Sequence, residues 1–308
     1  MHITLRHLAA FVATAEYQSL TAAALHLNIS QPSISSSIAL LEGHYGRRLF
    51  TRHPGQGVRL TTFGTQIAKR SRKLLSDALD LESFGHRDTS LGGTLVVGCF
   101  KDLAPYYMPT LLRTFIALEP AVTVRLKECD FDEIGTMLND GAIDIALTYD
   151  LLIPSTMEKT VLAKQQAHCL FAQGHSLEQH KVVSLKDVAR YPLILVNQAG
   201  SWQYVLQLFH SQSLDPAIAF RPSTFEMQRA LVARDFGVAI SYTRPATDRS
   251  YDGTPVCVRP IADALPQQAV LLAHPPASLM TSQAAAFIKS CINAADSLPV
   301  NEDSGAEP

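Results

Sequence analysis

Between Ser30 and Glu42 the side chains sort into two sets. Ile34, Ile38 and Leu41 recur at i, i+4 and i+7, the spacing of one buried helix face, while Gln31, Ser33, Ser36 and Ser37 take the other side. Ser30 can cap this helix, with Pro32 in the first turn, where a missing N–H costs nothing. An exposed face so poor in Lys and Glu does little for solubility. Short side chains that donate and accept hydrogen bonds suit close approach to another polar surface. The base edges of the DNA major groove are one, because short side chains that can donate and accept hydrogen bonds let a helix lie close against them. The bland alternative is a Ser-rich helix end that meets nothing.

Elsewhere the chain offers little chemistry. Cys99, Cys129, Cys169, Cys257 and Cys291 are odd in number, widely spaced and set in apolar sequence, which fits reduced, buried thiols. No CxxC or paired Cys/His spacing appears, and the eleven His are scattered, so neither a metal nor a cofactor is expected. No GxSxG, HExxH, P-loop or GxGxxG lies in a strand–turn–helix setting, so the expectation is a protein that is not an enzyme. Cys99, at the end of a predicted strand, is the one candidate nucleophile or redox sensor, and it supplies the alternative of a redox-active or catalytic body.

The elements that position the Ser30–Leu41 helix can be taken in order. Leu5, Leu8, Phe11, Val12 and Ala15 predict a first helix from Leu5 to Tyr17. Ser19 caps a second, with Leu20, Ala23, Ala24 and Leu27 as its inner face, Asn28 left-handed at its end and Ile29 plugging the turn. After the third helix, Tyr45, Leu49 and Phe50 close a small core. TRHPGQGVRLT then reads as a short hairpin or wing that displays Arg52, His53 and Arg59, arginines suited to phosphate or a narrow minor groove. From Thr62 to about Phe84 runs one long helix, with Phe63, Ile67, Leu74, Ala78 and Leu81 as a seam and Lys69, Arg70, Arg72 and Lys73 on its polar side. Pairing with a second copy explains that seam; packing on the chain's own body is the alternative. Nine basic and two acidic residues between Met1 and Ser76 give +7, leaving −9 for the rest of a chain of net −2, so the head alone is suited to a polyanion.

LRHLAAFVATAE, SLTAAALHLNISQPSISSSIALLE, GRRLFTR and VRLTTFG together resemble the winged helix-turn-helix and linker helix of the LysR-type transcriptional regulators, and the likeness extends in layout over nearly the whole chain. It implies double-stranded promoter DNA as partner, a small-molecule effector, a homodimer or homotetramer, and RNA polymerase as a further candidate contact. Gln31, Pro32 and Ser33 stand where the family meets the groove; Thr21, Ser36 and Ser37 join them, with Arg52 and Arg59 for phosphates. The family usually has Arg at the position of Ser36, and Ser hydrogen-bonds most bases with less discrimination.

The fold class follows: an α-rich winged helix-turn-helix (1–61), a linker or dimerisation helix (62–85), a hinge (86–93), a two-lobed α/β effector domain (94–296) and a disordered tail (297–308). The body alternates strand and helix from Thr94 to Leu147, implying a parallel sheet between helices, and a second such block starts near Ala167. Lobe I takes about 94–163 and 268–296, lobe II about 164–267. The resemblance implies the type 2 periplasmic-binding-protein fold, with a cleft at strand ends. Those ends nominate Phe100, Lys101, Asp102, Thr148, Tyr149, Asn197, Ser201, Thr224, Ser241 and Thr243 as effector-binding. Free N–H groups at Ser201 and Thr224, with Lys101, favour an anion, whereas Asp102, Asp150 and Glu226 oppose it; effector charge stays open here. No apolar run reaches the roughly 20 residues of a membrane span and no signal peptide is evident, so a cytoplasmic protein without membrane contact is expected. Ser36→Arg should change base preference, and a selected-site profile identical to that of the parent would show that this position does not read bases.

Overall fold

A computed structural model describes residues 3–53, 57–83, 91–295 and 298 of the chain. The wing turn at Pro54 and Gly55, residues 84–90 of the expected linker end and hinge, and the tail at 297 and 299–308 lie outside the described residues, as do the side chains of Arg52 and His53. Leu298, assigned to the tail by sequence, is instead buried on the body's core.

The head comprises α1 (Leu5–Tyr17), α2 (Leu20–Leu27), α3 (Gln31–Tyr45) and a hairpin of β1 (Phe50–His53) and β2 (Gly57–Leu60). Each helix starts where a side-chain oxygen accepts an otherwise orphaned N–H: Thr4 from His7, Ser19 from Ala22, Ser30 from Ser33. Gln18, Asn28 and Gly46 close the three helices in the left-handed conformation. Phe11, Ala23, Ile34, Leu41 and Leu49 are fully buried, the larger ones each contributing about 1.5–3 kcal/mol. Ile29 does not plug the turn: it is 44% exposed, and its N–H donates to the Ala24 carbonyl, so the backbone closes the turn.

Two polar ties hold the hairpin to these helices. The Glu42 carboxylate accepts the N–H groups of Leu49 (2.8 Å) and Phe50 (3.4 Å) and pairs with Arg48 (2.8 Å). Desolvation opposes that charge, but the donors win and hold its pKa below the ordinary value. Val58 N–H donates to the Gln18 carbonyl at 3.0 Å. Beside it Gly57 has φ +75°, and a Cβ there would meet that carbonyl oxygen at 2.3 Å, so glycine alone permits the contact.

The linker α4 (Thr62–Ser83) leads to a body of two sheets. In chain order come β3 (Gly93–Phe100), α5 (Ala104–Leu118), β4 (Val122–Cys129), α6 (Phe131–Asp140), β5 (Ile145–Tyr149) and β6 (Glu158–Gln165). Then follow β7 (His168–Ala172), α7 (Leu185–Val188), β8 (Leu193–Ile194), α8 (Ser201–His210), β9 (Ile218–Phe220), α9 (Phe225–Ala233), β10 (Ala239–Ser241) and β11 (Val256–Pro260). The chain ends on β12 (Gln268–His274) and α10 (Ser282–Asn293). The first sheet has the order β4-β3-β5-β12-β6. It is mixed rather than parallel, because β12 runs antiparallel to both β5 and β6. The second is the antiparallel β10-β7-β11, with β8 and β9 paired beside it. The chain crosses between the sheets twice, at Gln165–His168 and after Pro260, leaving a cleft where they face each other.

The linker differs most from its expected role. Arg72, placed by sequence on a solvated polar side, lies where α4 packs between α1 and α6, its side chain only 13% exposed. Its guanidinium is 3.9 Å from Glu16 of α1 and donates to the Asp140 carbonyl at 3.3 Å. Arg125 of β4 approaches the same Glu16 at 4.0 Å and donates to the Tyr17 hydroxyl at 3.4 Å. Farther along, Ser76 donates to Gln283 of α10 at 2.9 Å. Packing on the chain's own body is therefore realised for this face of the helix. Solvent-accessible space of about 1250 Å³ remains between head, linker and body.

Asp144, half-buried at this junction, accepts the Val96 N–H at 2.7 Å. Desolvation raises its pKa from 3.8 to about 6, against the pull of the Val96 N–H and Arg72. A carboxyl raised in this way favours folding while protonated and costs stability once ionised. Asp144→Asn should match the parent below pH 3.8, gain on it from 3.8 to about 6, and level off above that at an advantage of about 3 kcal/mol, measured by urea unfolding at several pH values.

Candidate functional site

The α3 face predicted to meet another surface is solvent-facing. Gln31, Pro32, Ser33 and Ser36 are exposed, while Ile34, Ile38 and Leu41 anchor the helix from behind. Ser37 is only half exposed, and its hydroxyl donates to the Ser33 carbonyl at 2.8 Å, so it retains acceptor capacity alone. The Ser33 hydroxyl lies 2.8 Å from that of the cap, Ser30. Thr21 is exposed on α2 and Arg59 on β2, where Arg59 also borders the space between head and body; the Arg52 side chain is outside the described residues.

Of the proposed pairing seam, Phe63 and Ile67 are half buried on the head's core. Phe63 packs edge-on to Tyr45 (5.5 Å between ring centres), with the Arg47 guanidinium 4.3 Å above its ring. Ala78 borders the junction space, leaving Leu74 (50% exposed) and Leu81 (74%) as the free apolar positions of the seam.

In the body, the cleft narrows to a cavity of about 60 Å³. Six of the ten residues nominated for the effector site line it: Phe100, Asp102, Tyr149, Ser201, Ser241 and Thr243. Bonds from sheet to sheet close it. The Asp102 carboxylate accepts from Gln198 Nε2 at 2.9 Å and from the Phe225 N–H at the start of α9. The Tyr149 hydroxyl meets Thr243 Oγ1 at 2.9 Å, and Tyr106 donates to Glu226 at 3.1 Å. Glu226 is itself held by the buried Arg229 at 3.2 Å. Desolvation raises the pKa of Asp102, with Gln198, Lys101 and the Phe225 N–H acting the other way.

Four nominated residues fall outside the lining. Lys101 turns away to pair with Asp130 at 2.7 Å. Thr148 is fully buried, because β5 runs on to Tyr149, two residues past the expected end at Leu147. Asn197 is exposed, and Thr224 is spent as the cap of α9, accepting the Met227 N–H at 3.2 Å. The free N–H expected at Ser201 donates to the Gln198 carbonyl at 3.2 Å. Conversely, Phe131, Tyr204, Gln228 and Gln268 line the cavity without nomination. They come from helices and a strand start, which a rule based on strand ends passes over; only their aromatic or amide chemistry could have flagged them.

Residues 5–65 match the bacterial regulatory helix-turn-helix protein of the lysR family, and residues 88–296 match the LysR substrate binding domain. The chain belongs to the LysR family. It is a LysR-type transcriptional regulator, with a DNA-binding helix-turn-helix head and an effector-binding α/β domain. It is 28% identical over 287 residues to the transcriptional activator protein LysR of Escherichia coli, covering 90% of each chain. To the regulator CfxR of Cupriavidus necator it is 33% identical over 245 residues, 77% of this chain and 75% of the relative. Among solved structures, HinK from Pseudomonas aeruginosa, a LysR family transcriptional regulator, superposes with a TM-score of 0.63 at 31% identity, covering 94% of this chain and 98% of its own. A full-length OxyR variant from the same organism reaches 0.75 at 23% identity, with the same coverage, and shares the fold.

LysR-type regulators bind promoter DNA and effector ligands, so the cavity is more telling than any nucleophile. Among the described residues no cluster suited to a metal ion occurs and no helix is long and apolar enough to cross a membrane. Cys99, the candidate redox centre, is fully buried, and burial together with Cys129 and Glu128 pushes its thiol well above the ordinary pKa. A thiol so poor in thiolate is a weak nucleophile. Native protein at pH 7.5 should leave Cys99 unlabelled by iodoacetamide on a timescale that labels the half-exposed Cys257; prompt labelling of Cys99 would restore the redox alternative.

Proposed function

We propose that this LysR-type regulator reads promoter DNA with the exposed face of α3 and that a small molecule in the cleft between the lobes biases its arrangement on DNA. The observation that carries the first part is the division of α3. Gln31, Pro32, Ser33 and Ser36 face solvent on a helix held rigidly by three buried side chains and by the Glu42 tie to the wing. A helix so fixed can present short side chains to base edges without reorganising. Arg59, with Arg52, supplies phosphate contacts, and Thr21 approaches the backbone from α2.

Two subunits pair through the linker, with Leu74 and Leu81 at its free positions, and set two α3 helices in successive major grooves; a tetramer carries two such dimers on longer, bent DNA. RNA polymerase is a further partner, and the cytoplasm is the compartment such a role requires. The domain limits are 1–61 for the head, 62–85 for the linker, 86–93 for the hinge and 94–296 for the effector domain. The second part rests on the cavity, which sits where the sheet-to-sheet bonds are made. A ligand that prefers one lobe arrangement shifts the population in proportion to its differential affinity.

Arg59→Ala should weaken binding to operator and unrelated DNA about equally and lower the slope of log K against log salt by roughly one. An unchanged slope in a salt titration would remove Arg59 from the phosphate contacts.

A further inference from the structure

We propose that the cleft takes a small organic cation, a protonated amine of a few heavy atoms, with Asp102 as its counter-ion; this rests on the cleft being the effector site. The cavity's chemistry is one-sided. Asp102 is the one ionisable carboxylate in its lining, and no lysine, arginine or histidine stands among the described residues that form its wall. The rest of the wall is uncharged, and it includes the rings of Phe100, Phe131, Tyr149, Trp202, Tyr204 and Tyr242. A carboxylate set among rings is the arrangement that holds an ammonium group, by charge on one side and by ring quadrupoles on the others.

The groups that would have served an anion are committed elsewhere. Lys101 is paired with Asp130 at 2.7 Å. Arg229 spends its guanidinium on the Thr247 and Arg249 carbonyls (2.9 and 2.5 Å) and on Glu226. Arg221 lies over the Trp202 ring at 4.5 Å and is not part of the wall. At the two helix starts that face the cleft, the Ser201 N–H is bonded to Gln198 and the Phe225 N–H to Asp102 itself. Lobe I thus already places its own carboxylate at the head of α9, and an entering anion would meet like charge there. A cation does the reverse: it supplies the positive charge that burial denies Asp102, whose carboxyl is held above its ordinary pKa by desolvation. Size narrows the class. The cavity of about 60 Å³ is well below the roughly 150 Å³ that accommodates benzene, so the part of the ligand that enters it is of ethylammonium size.

Trp202 is the single tryptophan of the chain and part of the wall, so its emission responds to occupancy of this cavity. The full-length protein would be titrated at matched ionic strength with ethylammonium chloride, sodium acetate and acetamide, following Trp202 emission and the thermal midpoint. Ethylammonium is expected to give a saturable emission change and a raised midpoint, and acetate neither. Asp102→Asn should weaken the ethylammonium response by about tenfold or more, the scale of one charge-assisted hydrogen bond. A saturable response to acetate without one to ethylammonium overturns the amine class and leaves the cleft reading standing. Silence toward all three ligands, or equal ethylammonium affinity in parent and Asp102→Asn, also overturns the proposal. A compound that alters operator binding while Trp202 emission stays fixed would instead overturn the cleft as effector site.

Discussion

Arg72 lies where three parts of the chain converge, and burial sets what it must do. Its guanidinium reaches Glu16 of the head and the Asp140 carbonyl of the body from a position on the linker. Desolvation works against its charge, and Glu16, Asp144 and Asp140 oppose that effect. A buried charge missing one partner is costly, so this arginine favours keeping head and body together. Arg125 competes for the same carboxylate from β4. Polar junctions of this kind exchange partners at small net cost, whereas a well-packed apolar seam does not.

That junction and the cleft belong to one sheet. β3 runs from Gly93, against the linker and Gln283, to Phe100 at the cavity wall, and Asp102 follows two residues later. β4, beside it, carries Arg125 toward the head and ends at Cys129, next to the Asp130 that pairs with Lys101. A change in lobe arrangement that pulls on Asp102 acts on a rigid sheet whose other end carries the head.

What could be read from sequence divides along physical lines. α1 and α2 begin and end as expected, and α3 begins as expected, because caps and left-handed residues such as Ser19, Asn28 and Ser30 are local signals; α3 runs on to Tyr45, past its expected end at Leu41, where Gly46 stops it. β6 and β11 were not anticipated. β6 is a sheet-edge strand rich in Lys, Glu and Gln with little of its length buried, and β11 ends on Pro260, so neither carries the apolar run that marks an inner strand. The direction of β12 was illegible for a different reason, since antiparallel pairing with β5 depends on a return from the second lobe. Strand ends located the cleft and six of its wall residues. They could not show that Lys101 turns to Asp130 or that Thr148 points inward, because those outcomes turn on register and on partners distant in the chain.

The short side chains of α3 have one more consequence. Ser33 and Ser36 end about two bonds from the helix backbone, so a helix seated at ordinary depth leaves gaps between hydroxyls and base edges that an arginine would span. Ordered water fills such gaps, bridging hydroxyl to base at little loss of enthalpy. Recognition by this helix is then partly a property of a hydration layer held between two fixed surfaces. For the DNA reading proposed above, its strength would then be linked to water activity, so that osmolarity would weigh on operator binding.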